Sequence, residues 1–92
     1  MKIGYARTST ADQEAGLEAQ ERDLKKAGAE RLFSEQVSSI ATRDQLKAAL
    51  DYLRDGDTLV VTKLDRLARS VRDLMDIVET IETKGATLEI LE

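Results

Sequence analysis

Residues 58–62 read TLVVT, and the predicted fold is built around them. An unbroken run of β-branched and apolar residues is typical of a strand that is buried on both faces, as in parallel sheets covered by helices. The preceding residues 54–57, RDGD, have the composition of a turn. The sequence therefore predicts an α/β protein with this strand in the interior of its sheet.

Strand and helix patterns alternate on both sides of this stretch. The predicted elements are, in chain order, a strand around Ile3 and Tyr5, a helix at about residues 14–27, a strand at 31–34, a helix opened by an S/T-x-x-E/Q capping box at 42–45, the strand at 58–62, a helix capped by Ser70-x-x-Asp73, and a strand at 86–91. Residues 35–41, EQVSSIA, have neither period and are predicted to be a mobile loop.

The order β-α-β-α-β-α-β requires right-handed crossovers and helices on both faces of the sheet. It predicts a small doubly wound parallel sheet with strand order 2-1-3-4. Ligands bind such sheets beyond the carboxyl ends of the strands, at the switch point, which here lies between the first and third strands. Arg7, Thr8 and Ser9 follow the first strand and residues 63–66, KLDR, follow the third, so these polar residues are expected to converge.

The composition narrows the chemistry. The 92 residues suffice for one globular domain, and 41% of them are hydrophobic and 35% charged. The absence of cysteine and histidine excludes thiolate catalysis, the usual structural zinc sites and nucleophiles activated by imidazole. Catalysis, if present, depends on serine, tyrosine, lysine, arginine and carboxylates.

Charge and hydropathy limit the partners and the location. The formal net charge is −4, which is the wrong sign for a domain that holds nucleic acid by itself. No stretch approaches the roughly 20 apolar residues that span a bilayer, and the first residues are charged and strand-like. The chain is expected to be cytoplasmic and to have no membrane partner.

Ser9 is the candidate nucleophile at the predicted switch point. A phosphodiester that it attacks would need planar cations around its oxygens, and Arg7, Arg66 and Arg69 are the candidates, joined by Arg43 if the loop after the second strand folds over the site. The proton acceptor is left open between Asp65, a water polarised by arginine, and the substrate.

Ordinary structural roles account for the same residues one at a time. A serine after a strand is commonly a cap or turn residue, and Asp65 could cap the third helix. Arg66 and Arg69 could be surface charges that pair with Asp65 or Asp73, and Tyr5 could belong to the core. Only their convergence on one sheet edge favours a site.

Two motifs carry a resemblance to a known family. Residues 5–10, YARTST, followed by Gln13 and by Leu17-x-x-Gln20, resemble the start of the serine recombinases, the resolvase and DNA invertase family. Residues 56–70, GDTLVVTKLDRLARS, are similar to that family's G-D-x-L-V-V-x-K-L-D-R-L-x-R-S pattern. The resemblance extends over essentially the whole chain.

The resemblance implies a nucleophilic role for Ser9, which would attack a DNA phosphodiester and leave a 5′-phosphoseryl protein and a free 3′ hydroxyl. It implies neither a metal nor a nucleotide cofactor. It implies that the active site contains the arginines and polar residues that match the family's motifs. These are Arg7, Arg43, Arg66, Arg69 and Asp65, with Tyr5, Gln20 and Lys63 in support.

Members of that family continue into a long dimerisation helix and a DNA-binding domain. Residues 1–92 are therefore expected to be a truncated N-terminal catalytic domain that alone neither binds DNA measurably nor recombines it. The full-length protein is expected to bind DNA and to form a dimer and a synaptic tetramer. Two alternatives are a non-catalytic flavodoxin-like domain that binds an anion or a partner, and an inactive paralogue kept for dimer contacts.

Overall fold

A computed structural model describes residues 1–8, 14–36 and 43–92, without the side chains of residues 14 and 15. The described residues form strands β1 to β4, helices α1 to α3 and one short 3-10 helix before α3. In chain order these are β1 (Lys2–Thr8), α1 (Glu14–Lys26), β2 (Arg31–Gln36), α2 (Asp44–Tyr52), β3 (Thr58–Val61), the 3-10 helix (Leu64–Arg66), α3 (Val71–Thr83) and β4 (Thr87–Ile90).

The strands form one sheet in the order β2-β1-β3-β4, and every pairing in it is parallel. The predicted doubly wound sheet and its order 2-1-3-4 are confirmed. β1 and β3 are neighbours, with Ile3 opposite Leu59. Their carboxyl ends therefore lie side by side, and the residues that follow β3 are brought to the end of β1.

Alternate residues of the central strands face two different cores. Leu59 and Val61 pack with residues of α2 and α3, whereas Val60 packs with Leu24 of α1. Leu59, Val60 and Val61 are all buried, as the TLVVT run predicted. Tyr5 belongs to the larger core, so its predicted alternative role as a core residue is correct.

The cap of α3 is as predicted, because the Ser70 hydroxyl accepts a hydrogen bond from the Asp73 N–H at 3.0 Å. Asp65 does not cap this helix, since it lies within the preceding 3-10 helix. The N-cap of α2 lies one residue later than the capping box at 42–45 predicted. The N-cap residue is Arg43, whose side chain makes no capping bond, and Thr42 lies outside the described residues.

β2 is longer than predicted. Glu35 and Gln36, assigned from sequence to a mobile loop, instead pair with Arg7 and Thr8 of β1. The strand continues through Glu35 because its side chain is buried and hydrogen-bonded rather than solvated. The rest of the predicted loop, residues 37–41, lies outside the described part of the chain.

Among the helices of the described residues, none is both long enough and apolar enough to cross a bilayer.

Candidate active site

The Arg7 guanidinium joins the ends of β1 and β3. Its Nη2 donates a hydrogen bond to the Asp65 carbonyl at 2.6 Å, and its Nε donates to the Arg66 carbonyl at 3.4 Å. These carbonyls belong to the 3-10 helix that follows β3. Of the residues predicted to converge, Arg7 therefore contacts the turn that carries Arg66, whereas Ser9 lies outside the described residues.

Gln20 fixes the backbone at the same end of β1. Its side-chain carbonyl accepts from the Arg7 N–H at 3.2 Å, and its side-chain amide donates to the Arg7 carbonyl at 3.0 Å. The pair of bonds resembles the pairing of one more strand, supplied by a buried side chain of α1. Gln20 thus holds the residue that precedes Thr8 and Ser9 in the sequence.

Arg43 reaches the same turn from the N-terminus of α2. Its Nη1 donates to the Leu67 carbonyl at 2.9 Å, and its Nη2 donates to Asp73 Oδ1 at 2.8 Å. The side chain is only 11% exposed. The Arg43 side chain therefore contacts the turn that carries Arg66, and the loop through which it was predicted to join the site lies outside the described residues.

Three consecutive carbonyls of the turn accept hydrogen bonds from two arginines. Asp65 and Arg66 bind Arg7, and Leu67 binds Arg43. Charge-assisted bonds of this kind are stronger than bonds between neutral groups. We call this arrangement the arginine clasp. It fixes the turn that carries Arg66 and leads to Arg69.

The side chains of Asp65, Arg66 and Arg69 are more exposed to solvent than that of Arg43. The Asp65 side chain is 76% exposed, and its Oδ1 is 3.9 Å from Arg66 Nε. This is the surface pairing that the sequence analysis named as an alternative, and an exposed pair contributes little to stability. Arg69 is exposed, and its backbone N–H donates to Asp73 Oδ2 at 2.8 Å.

Lys63 lies at the end of β3, where its amine is 3.4 Å from the carboxylate of Glu92. This ion pair joins Lys63 to the residue that follows β4, and it does not involve the residues of the arginine clasp. Ser9, the candidate nucleophile, lies outside the described residues, and its role is taken up below.

A buried carboxylate supports the site from the larger core. Glu35 Oε2 accepts from the Tyr5 hydroxyl at 2.6 Å and from the Leu46 N–H at 3.1 Å, and Oε1 accepts from the Gln45 N–H at 3.1 Å. These two N–H groups belong to the first turn of α2, so Glu35 supplies the cap that Thr42 was predicted to supply. The helix that presents Arg43 is thereby tied to β2 and β1.

Tyr5 serves this network as a neutral hydroxyl. Burial raises the pKa of Tyr5 far above its ordinary value, and the hydrogen bond to Glu35 adds to the shift. Tyr5 therefore retains its proton at any physiological pH and acts as a donor to Glu35. Tyr5 was predicted from the sequence as a site residue, and Glu35 was not. The signal that indicates Glu35 is its position two residues after the buried Phe33, on the same face of the strand.

Known proteins share this sequence pattern and this fold. The family described as the resolvase N-terminal domain matches residues 2–92. An integrase-like protein of Sinorhizobium fredii is 48% identical over 93 residues, which covers 99% of this chain and 50% of that protein. The DNA-invertase Hin of Salmonella typhimurium is 46% identical over 85 residues, covering 91% of this chain and 44% of the invertase.

Solved structures have the same fold. The N-terminal catalytic domain of TP901-1 integrase superposes with a TM-score of 0.78 at 25% identity, covering 99% of this chain and 77% of that one. A resolvase family site-specific recombinase from Streptococcus pneumoniae shares the fold, with a TM-score of 0.81 at 23% identity over 99% of this chain and 72% of that one.

Fold and site together define a parallel α/β domain with an arginine cluster at its switch point. The chain belongs to the resolvase N-terminal domain family. The resemblance seen in YARTST and GDTLVVTKLDRLARS is thereby confirmed, and a flavodoxin-like anion-binding domain is not favoured. The chain spans about half the length of the relatives it matches.

Proposed function

We propose that residues 1–92 are the catalytic domain of a serine site-specific recombinase. The observation that carries the proposal is the arginine clasp, in which Arg7 and Arg43 from two other elements bind the turn that carries Arg66. Clustered arginines at the carboxyl ends of parallel strands suit an anionic phosphodiester. The relatives named as an invertase and an integrase-like protein support DNA as the substrate.

The reaction begins when the Ser9 oxygen attacks a DNA phosphorus. A bond forms between that oxygen and phosphorus, the bond from phosphorus to the 3′ oxygen breaks, and the 3′ oxygen leaves as a hydroxyl after gaining a proton. The product is a 5′-phosphoseryl protein. Attack by a 3′ hydroxyl on this ester reverses the bonds and rejoins DNA, so the phosphoester is exchanged without an external energy source.

The arginines stabilise the charge that develops on the phosphate oxygens. Planar guanidinium groups can contact two oxygens together, and fixed donors need no reorganisation during the reaction. Arg69 is exposed and Arg66 is partly exposed, so a DNA backbone can reach both. No histidine is present to take the Ser9 proton, so the acceptor is Asp65, a water or a substrate oxygen.

DNA binding, choice of the DNA sequence and assembly of the recombining complex need parts of the protein beyond residues 1–92. With a net charge of −4, residues 1–92 have low intrinsic affinity for DNA, and a basic module supplies binding and sequence choice. Self-association as a dimer and then a synaptic tetramer brings two DNA sites together. We expect the protein to work in the cytoplasm, where it would meet the DNA on which it acts.

The test is a fusion of residues 1–92 to the carboxy-terminal half of the Salmonella DNA-invertase, incubated with supercoiled DNA that carries the sites of that invertase. We expect a covalent protein–DNA adduct that withstands denaturation and contains a phosphoserine at position 9. Ser9→Ala should abolish the adduct, whereas Thr10→Ala, which removes the neighbouring hydroxyl, should leave it.

Two results would contradict the proposal. One is an adduct that persists in Ser9→Ala, which would place the nucleophile elsewhere. The other is the absence of any adduct from the parent fusion under conditions in which the intact invertase forms one.

A further inference from the structure

The carboxylate of Asp73 connects two arginines of the candidate site. Oδ1 accepts from Arg43 Nη2 at 2.8 Å, and Oδ2 accepts from the Arg69 backbone N–H at 2.8 Å. The Asp73 N–H is separately bound to the Ser70 hydroxyl at 3.0 Å. The side chain therefore uses both its oxygens on the arginine segments, while the helix cap depends only on its backbone.

The contact with Arg43 differs from the other acid–arginine pair of the site. Arg43 and Asp73 are 11% and 19% exposed at 2.8 Å, whereas Arg66 and Asp65 are 36% and 76% exposed at 3.9 Å. A short, largely shielded pair is screened less by water and salt than an exposed one. Of the two acids, Asp73 is therefore better suited than Asp65 to fix the position of an arginine side chain.

Without Asp73, the Arg43 guanidinium would keep, among the residues that the structure describes, one hydrogen bond, to the Leu67 carbonyl. One bond fixes the position of a planar group but leaves its rotation free, whereas two acceptors on different nitrogens fix both. Asp73 itself is unsuited to touch a phosphate, because two anions repel. Its effect on a bound phosphodiester must pass through Arg43 and Arg69.

We propose that Asp73 is a positioning residue of the recombinase site, which sets the orientation of Arg43 relative to the segment of Arg69 without contacting the substrate. This inference rests on the proposed function. Misplacement of a catalytic group by about 1 Å can cost on the order of 100-fold in rate. The role is therefore measurable in the chemical step.

Asp73→Asn is the decisive variant because it keeps the volume and the backbone cap. The hydrogen bonds from Arg43 and Arg69 go to different carboxylate oxygens. An amide replaces one of these oxygens by an NH2 group, which donates, so one of the two bonds is lost. In the fusion protein we expect adduct formation at saturating protein to slow by about 10-fold to 100-fold, with DNA affinity unchanged. Glu79→Gln, the same charge change at an exposed position of α3, is the matched control and should retain the parent rate.

A double-mutant cycle separates positioning from a general loss of structure. If Asp73 acts through Arg43, Asp73→Ala should add little to the loss already caused by Arg43→Ala. Losses that simply multiply would overturn the proposal, as would an Asp73→Asn rate equal to or above the parent rate. The latter result would mean that Asp73 restrains Arg43 from the phosphate.

A measurement on residues 1–92 alone separates this inference from the proposed function. The hydrogen bond from Arg43 holds the pKa of the Asp73 carboxyl below its ordinary value, so an NMR titration of that carboxyl should show a rise in Arg43→Ala. A titration unchanged by Arg43→Ala would overturn the pairing itself. With the pairing intact, a parent fusion that forms no adduct would overturn the proposed reaction, and the positioning role with it.

Discussion

The two faces of the sheet are built differently. On the α1 face the buried core is small, with Ala6, Leu24 and Val60, and it brings α1 close enough for Gln20 to bind the end of β1. The opposite face has a larger core and also contains the Glu35 hydrogen bonds and the pair of Arg43 and Asp73. On the α1 face, close packing of α1 fixes the end of β1. On the opposite face, hydrogen bonds to the carboxylates of Glu35 and Asp73 fix the residues of the site.

The largest effect expected from this difference is on the stability of the larger core. Leu59 and Leu24 are both fully buried, one in each core. Leu59→Ala should lower the free energy of unfolding by about 3–5 kcal/mol, and Leu24→Ala by about 2–3 kcal/mol, because the smaller core has less structure around the cavity. Urea unfolding of both variants provides the comparison, and equal losses would show the two faces to be energetically equivalent.

The Glu35 hydrogen bonds should contribute less than Leu59 but more than a surface pair. Glu35→Gln leaves one acceptor oxygen for three donors and turns an amide N–H toward another donor, at a cost of about 2–3 kcal/mol. Tyr5→Phe removes only one donor, and we expect about 1 kcal/mol. Thermal unfolding of the two variants should rank them in this order. The reverse order would assign the stability to Tyr5 and not to the cap of α2.

Close approach on the α1 face can be tested by adding one methyl group. A Cβ at Gly4 would lie 2.7 Å from Leu32 Cδ2 and 3.2 Å from Leu24 Cβ. Since the nearer atom ends a flexible side chain and the other is part of α1, Gly4→Ala should cost about 1–2 kcal/mol. Gly16→Ala, where the nearest such atom is Thr8 Cγ2 at 3.8 Å, is the control without a clash. A loss in Gly16→Ala as large as in Gly4→Ala would refute close packing as the cause.

The smallest effect concerns Thr8, also on the α1 face. Its hydroxyl oxygen is buried and has no hydrogen-bond partner in the described parts of the chain. Thr8→Val replaces this group by a methyl of similar size, so stability should stay the same or rise by up to about 1 kcal/mol. A clear drop in melting temperature would mean that the hydroxyl has a partner in solution.

The sequence was sufficient for the architecture because periodicity and chain order constrain it strongly. The TLVVT run identified the interior strand, and the alternation of elements led to the order 2-1-3-4. The end of β2 was misassigned because Glu35 is a charged residue in a segment with weak periodicity. Its strand conformation depends on pairing with Arg7 and on three hydrogen bonds from other elements.

The site was predictable only in part for the same reason. Strand order was enough to bring Arg7 to the turn after β3, since parallel neighbours end at one edge. The partners of Arg43 could not be read from sequence, because Leu67 and Asp73 are 24 and 30 residues away and contact it only after α2 and α3 have packed. Ser9 was named from sequence and stays a prediction.

The arginine clasp also bears on how this segment can vary. Its acceptors are main-chain carbonyls of residues 65–67, and every amino acid provides such a carbonyl. Substitution at these positions can leave the clasp intact, whereas an inserted or deleted residue would shift every carbonyl away from its guanidinium. Alignments and chimeras across this turn should therefore be judged first by the number of residues between β3 and α3 and only then by their identity.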